Sequence, residues 1–388
     1  MKLLKKIMRT ATNLIRNFIL FLVTLIICYG LLIVGDYVIS KLVTIQLEKD
    51  ETYIEAKEIE SIREIEEDIP SRKIAISDGL LPTVYPNSMN QLDLKYPLIA
   101  GLPSTETYFC NEGYGLIRYR SDRFGFRNKD SLWNENKKQL MIGDSFVQGA
   151  CVSDGETLPQ RLSDILKSNV INLGMGSNNP SHYFAYSVLF IPKFEPEIVY
   201  LNFYSNDYGV HKSIIEQKYV DQKIKIFSEK KDSFYDINIF KEEGYKAINL
   251  LNEGKTIESD LNFFERSYKS VIHRSTLPFI RSLFSLINDK SFASTEKAIV
   301  GTLDLCVQFN CQLIVSFIPN SNFYRPDSRA DFYGDRIADL TKRLEIPFAD
   351  GRKYINRERN SLDYAIKGPH LSPLGYRKMA NAISYLVQ

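Results

Sequence analysis

The sequence predicts an α/β fold: a three-layer α/β/α arrangement around a parallel five-stranded sheet. Two observations predict it. Through residues 139–388, short apolar runs alternate with segments of helical rhythm, the order that βαβ units impose. The first run, Leu140-Met141-Ile142, closes in Gly143-Asp144-Ser145; strand, tight turn and helix in that order present a serine hydroxyl at the carboxyl edge of such a sheet.

Composition sets the bounds. A chain of 388 residues, 44% hydrophobic and 25% charged, holds one sizeable domain with accessories or two modest domains. The formal net charge of +2 offers no concentrated basic face, so no nucleic-acid partner is expected.

The elements follow in chain order. Residues Phe18 to Gly35 carry no charged side chain, and Lys2, Lys5, Lys6, Arg9 and Arg16 precede them. A run of 18 residues meets the lower bound for a membrane-spanning helix, and the basic start keeps the N-terminus cytoplasmic. The expectation is a single-pass anchor over residues 1–40, with the rest of the chain on the periplasmic or extracellular side. A cleaved signal peptide is the rival, opposed by the length of the run and the lack of an Ala-x-Ala site. Residues 41–100 read as stalk and linker: Glu48 to Glu67 is dense in Glu, Lys and Ile with helical rhythm, and Ile69 to Tyr96 is rich in Pro, Ser and Asn.

Cys28 falls inside the apolar run, which leaves Cys110, Cys151, Cys306 and Cys311 on the exported side. Four cysteines in an oxidising compartment read as disulfides. Cys110 and Cys151 are expected to pair and pin the lead-in beside Ser145. Cys306 and Cys311 are near enough to bridge a helix end to the next strand, with buried free thiols as the other reading.

In the main domain, 101–388, the expected strands are Leu140–Ile142, Val170–Leu173, Ile198–Phe203, Leu313–Phe317 and Ile346–Phe348. Helical patterns cover Leu158–Lys167, His182–Ile191, Glu296–Gln308, Tyr333–Leu344 and Pro373–Leu386. A charged and aromatic stretch at about 211–292 breaks the rhythm and reads as an inserted cap.

Three stretches besides Ser145 stand where acyl-transfer chemistry on such a sheet needs them. Asn172-Leu173-Gly174-Met175-Gly176-Ser177-Asn178 is a turn able to offer backbone N–H groups, Tyr204-Ser205-Asn206-Asp207 ends the third strand, and His370-Leu371-Ser372-Pro373 precedes the last helix. Taken together they resemble the four blocks of the SGNH hydrolases, the GDSL esterase superfamily, over roughly Ser121 to Gln388. Within that span Ser121-Asp122-Arg123-Phe124-Gly125-Phe126-Arg127-Asn128 looks like the segment before the nucleophile strand in bacterial members. The resemblance implies a flavodoxin-like strand order, Ser145 as nucleophile, His370 as base, and oxyanion donors from the Ser145 N–H, Asn206 and a block-two residue, either Gly176 or Ser177. Tyr204 replaces the family glycine of block three, and Lys367 stands where the family acid precedes the histidine. Asp363 is the first candidate to replace that acid, and Asp350 the second. Neither metal spacing nor a phosphate loop is visible, so no cofactor is expected. The activity implied is hydrolysis or transfer of an ester, with an acetylated cell-surface glycan as substrate class. A non-catalytic binding protein with a decayed triad, or a lipid esterase, are the alternatives, and a carboxylate within reach of the His370 ring separates the first of them from an enzyme.

Overall fold

The computed structural model describes residues 16–18, 20–24, 30–31, 34, 81–82, 100–136, 138–176, 178–207, 242–246, 249, 292–324, 329–358 and 361–387. The chain divides into two units, 1–54 with 260–289 and 55–259 with 290–388. In the first, the described residues are helical and expose Phe18, Leu20, Phe21, Leu31 and Val34. No helix among the described residues is long and apolar enough to cross a membrane. The rest of the 18–35 run, the stalk and most of the expected cap lie outside the described residues.

The second unit opens with three short strands, β1 (Leu81–Pro82), β2 (Glu106–Tyr108) and β3 (Arg118–Arg120). β1 pairs parallel with β2, and β2 antiparallel with β3. The sequence reading left this region as stalk and irregular lead-in, because strands of two or three residues are too short to display alternation.

The main sheet comprises β4 (Gln139–Gly143), β5 (Val170–Gly174), β6 (Ile198–Tyr204), β7 (Gln312–Ile318) and β8 (Phe348–Asp350). All pairings are parallel, in the order β5-β4-β6-β7-β8. β8 begins two residues later than expected: the Ile346 N–H still bonds back to the Thr341 carbonyl, and ladder pairing starts at the Pro347 carbonyl.

Alternation along the strands separates two cores. Leu140, Ile142, Leu173, Val199, Leu201 and Val315 face one side, and Met141, Val170, Tyr200 and Ile314 the other. The first side is covered by α3 (Pro180–Phe194), α4 (Ala293–Phe309) and α5 (Arg329–Arg343). The second carries α1 (Ser145–Gln148), α2 (Leu158–Leu166) and α6 (Pro373–Ser384). Local signals set the ends of these helices: Thr157, Asn179 and Ser372 accept backbone N–H bonds as N-caps, each followed within two residues by proline.

Because β4 hands the chain to β5 on one side while β6 hands it to β7 on the other, the order reverses between β4 and β6. In open α/β sheets a crevice opens at that point, beyond the carboxyl ends of the strands. Ser145 and Asn206 each stand two residues beyond the end of one of those strands.

Candidate active site

The site is built where β4 meets α1. Asp144 caps α1 by accepting the Phe146 N–H at 2.9 Å. Gly149 ends the helix in the left-handed region, at φ 81°. The approach of α1 to β5 needs glycine as well: a Cβ on Gly174 would fall 2.2 Å from the Gln148 backbone nitrogen.

Ser145 Oγ lies 2.9 Å from His370 Nε2. The histidine stands on a hairpin before α6, in which Tyr364 bridges Leu371 and the Ala365 N–H donates to the His370 carbonyl at 2.8 Å. Phe146 packs 4.8 Å from the imidazole, and Tyr204 backs Phe146 at 4.0 Å.

The imidazole's second nitrogen meets a carboxylate, but not Asp363. Nδ1 lies 2.7 Å from Glu112 Oε1, and the His370 main-chain N–H donates to Oε2 at 3.2 Å. Since a carboxylate only accepts, Nδ1 carries the proton and Nε2 is left to accept from the Ser145 hydroxyl. The hairpin register keeps Asp363 from the expected place: Ala365 stands opposite His370, while the Asp363 carbonyl accepts the Ser372 N–H. The Asp363 carboxylate takes the Asn356 N–H and the Lys378 ammonium, each at 2.7 Å. Asp350 caps the next turn and holds Arg352, raising the pKa of that guanidinium further.

Glu112 sits between β2 and β3, with a side chain only 3% exposed. Its carbonyl accepts the Lys367 N–H at 3.1 Å. Gly368 lets the carboxylate in: a Cβ there would lie 1.9 Å from Glu112 Cδ. Sequence reasoning missed this residue. The available signal was Cys110 two places earlier, whose expected partner Cys151 is six places after Ser145. The structure contains both expected bridges, Cys110–Cys151 with Cα atoms 5.1 Å apart and Cys306–Cys311 with Cα atoms 4.5 Å apart.

The expected oxyanion donors divide. Asn206, in the turn after β6, is exposed, and its carboxamide makes no hydrogen bond among the described residues. Asp207 beside it is structural, taking the Tyr183 hydroxyl and the Tyr204 N–H. The Gly176 N–H is turned away to Gln148 Oε1 at 2.8 Å, because buried Gln148 needs an acceptor's partner there. Ser177 lies outside the described residues. Glu112, Cys151 and His370 bring an oxygen, a sulfur and a nitrogen within 4.8 Å of one another; with Cys151 in a disulfide, the sulfur is not a thiolate ligand.

A serine just beyond a strand of the parallel sheet, a histidine and a carboxylate in hydrogen-bonded series make the arrangement of an acyl-transfer triad. No family model and no curated protein matches the sequence. Solved structures similar to the chain include proteins described as G-D-S-L family members and as esterases. One is a protein of the G-D-S-L family from Desulfitobacterium hafniense, at 12% identity and a TM-score of 0.36, covering 65% of this chain and 99% of its own. Another is a family 3 carbohydrate esterase from Clostridium thermocellum, at 15% identity and 0.34, covering 63% and 92%. A catalytic mutant of an acetylxylan esterase from Geobacillus stearothermophilus matches at 14% and 0.36, covering 64% and 93%. What those proteins act on is theirs; the chemistry of this chain rests on its own residues.

Proposed function

We propose that this chain is a membrane-anchored serine esterase acting on acetyl esters of a cell-surface glycan, with O-acyl transfer as the outcome when a sugar hydroxyl replaces water. The observation that carries the ester chemistry is the continuous series Ser145 Oγ, His370 Nε2, His370 Nδ1, Glu112 Oε1. Ser145 Oγ attacks the ester carbonyl as Nε2 takes its proton, and Glu112 stabilises the imidazolium that forms. The Ser145 N–H and the Asn206 carboxamide receive the oxyanion. Nε2 then returns the proton to the leaving alkoxide, and a second cycle with water or an acceptor hydroxyl frees the acyl group. A binding protein with a decayed triad loses its main support, since the missing acid was the argument for it.

The anchor is supported by the uncharged run from Phe18 to Gly35 behind five basic residues, and an oxidising compartment by the two disulfides. The glycan follows by placement: a site tethered to an exported membrane face meets envelope polymers first. The test is hydrolysis of a short-chain aryl acetate by the full chain beside its Ser145→Ala variant, followed by addition of a saccharide acceptor. Turnover that survives the substitution would refute the mechanism. Release of the chain from membranes by alkaline carbonate would refute the anchor.

A further inference from the structure

Glu112 reaches His370 across 258 residues of sequence, on a loop that the main sheet does not carry. The loop is short and largely exposed. Its neck is closed by two hydrogen bonds, Phe109 N–H to the Ile117 carbonyl at 2.8 Å and Ile117 N–H to the Cys110 carbonyl at 3.0 Å. Beyond the neck, Gly113 and Gly115 both have positive φ, at 103° and 89°, and every residue from Asn111 to Leu116 is exposed except Glu112. Ordering such a glycine loop costs backbone entropy, and drawing a carboxylate out of water costs more unless its partners are fixed. Both costs favour a loop that swings into solvent.

Against this stand the Asn111 Oδ1, which accepts from the Gly113 and Gly115 N–H groups at 2.9 and 3.1 Å, the Lys367 N–H on the Glu112 carbonyl, the His370 contacts of the carboxylate, and one covalent bond. Cys110, at the neck, is bridged to Cys151, just past α1, and a sulfur of that bridge lies within 4.8 Å of the Glu112 and His370 ligand atoms. Resting on the esterase reading above, we infer that the Cys110–Cys151 disulfide is the positioning bond for the acid, so that the triad is complete only in the oxidised chain. Reduced, the protein keeps nucleophile and base and loses the group that orients the base. Cys110 is half-buried and Cys151 is buried, so a dithiol attacks the Cys110 sulfur and displaces the Cys151 thiolate. Its second thiol then closes on the mixed disulfide, freeing the Cys110 thiolate; the reductant leaves as a cyclic disulfide, and two electrons and two protons have passed to the cystine.

The test uses the full-length Cys306→Ser/Cys311→Ser chain, in which Cys110–Cys151 is the remaining bridge, treated with dithiothreitol in the presence and in the absence of EDTA. Reduction is expected to lower kcat by at least about tenfold, toward the roughly 10⁴-fold that losing the acid costs in other triads, and reoxidation to restore it. The downfield proton resonance of the His370 Nδ1–H in its carboxylate hydrogen bond should vanish in parallel. Cys110→Ala/Cys151→Ala, with the second bridge intact, should lower kcat in the wild type yet add nothing in a Glu112→Gln background, a non-additivity that a general loss of folding would not produce. Unchanged kcat and resonance on reduction would overturn the inference, as would losses that multiply. Loss seen only without EDTA would also overturn it, assigning the effect to a metal captured by the freed thiolate with Glu112 and His370. An oxidised chain without turnover would count against the esterase reading alone, since the Nδ1 proton still decides the tether.

Discussion

At the scale of single residues, the two carboxylates of the histidine neighbourhood do different work, and substitution separates them. Glu112→Gln keeps size and burial but replaces an acceptor oxygen by a donor, so the neutral imidazole loses its fixed tautomer. We expect kcat to fall by about 10³ to 10⁴ with little change in unfolding midpoint. Asp363→Asn breaks the contact with Lys378 and weakens the one with Asn356; it should cost about 1–3 kcal/mol of stability and leave kcat nearly intact. Reversed outcomes in kinetics and denaturant titration would return the acid's role to Asp363. Gly368→Ala tests the same point from the other side, because the added methyl occupies the carboxylate's place; its kcat should approach that of Glu112→Gln. Ser145 and His370 were legible because each stands where an element with a recognisable rhythm begins. Glu112 was not, since a partner 258 residues away obeys no spacing rule, and Lys367, three residues before His370, leaves no carboxylate at the expected spacing.

At the scale of elements, the segment Ser121–Asn128 has an architectural task that its resemblance did not disclose. Asn128 both donates to the Asn172 carbonyl and accepts its N–H, at 2.9 and 2.8 Å, and so pairs the free edge of β5 as another strand would. Arg127 donates to the Gly149 and Val152 carbonyls, holding the chain beyond α1. Asp122 organises the turn by accepting from the Phe124 and Phe126 N–H groups, Asn128 and Trp133. Burial pushes its carboxyl up to about 6 from 3.8, with those four donors pulling against it. The folded chain therefore binds this proton more tightly than the unfolded chain, and stability from this group declines as pH rises through that interval. The decline is about 1.4 kcal/mol per pH unit, about 3 kcal/mol in all, with no further change above about pH 6. Unfolding free energies measured from pH 4 to 7 should show this slope in the wild type and lack it in Asp122→Asn; parallel curves would refute it.

At the scale of the molecule, the sheet was readable because β4, β6 and β7 carry apolar runs buried on both faces, and its crossovers leave few topologies open. The small three-stranded sheet was not, for its strands are held by pairing, with a disulfide at Cys110 just after β2, more than by pattern. Fold and triad are thus encoded in different stretches: residues 139–388 specify the sheet, the nucleophile and the base, while the acid comes from the segment before them. In chain order the triad runs acid, nucleophile, base, one more permutation of a constellation that recurs in several orders. A kinship drawn only from the nucleophile strand onward would therefore class this protein with acid-less dyads. The diagnostic pair to seek in its relatives is a cysteine followed two places on by glutamate, upstream of the Gly-Asp-Ser turn, with a second cysteine six places after the serine.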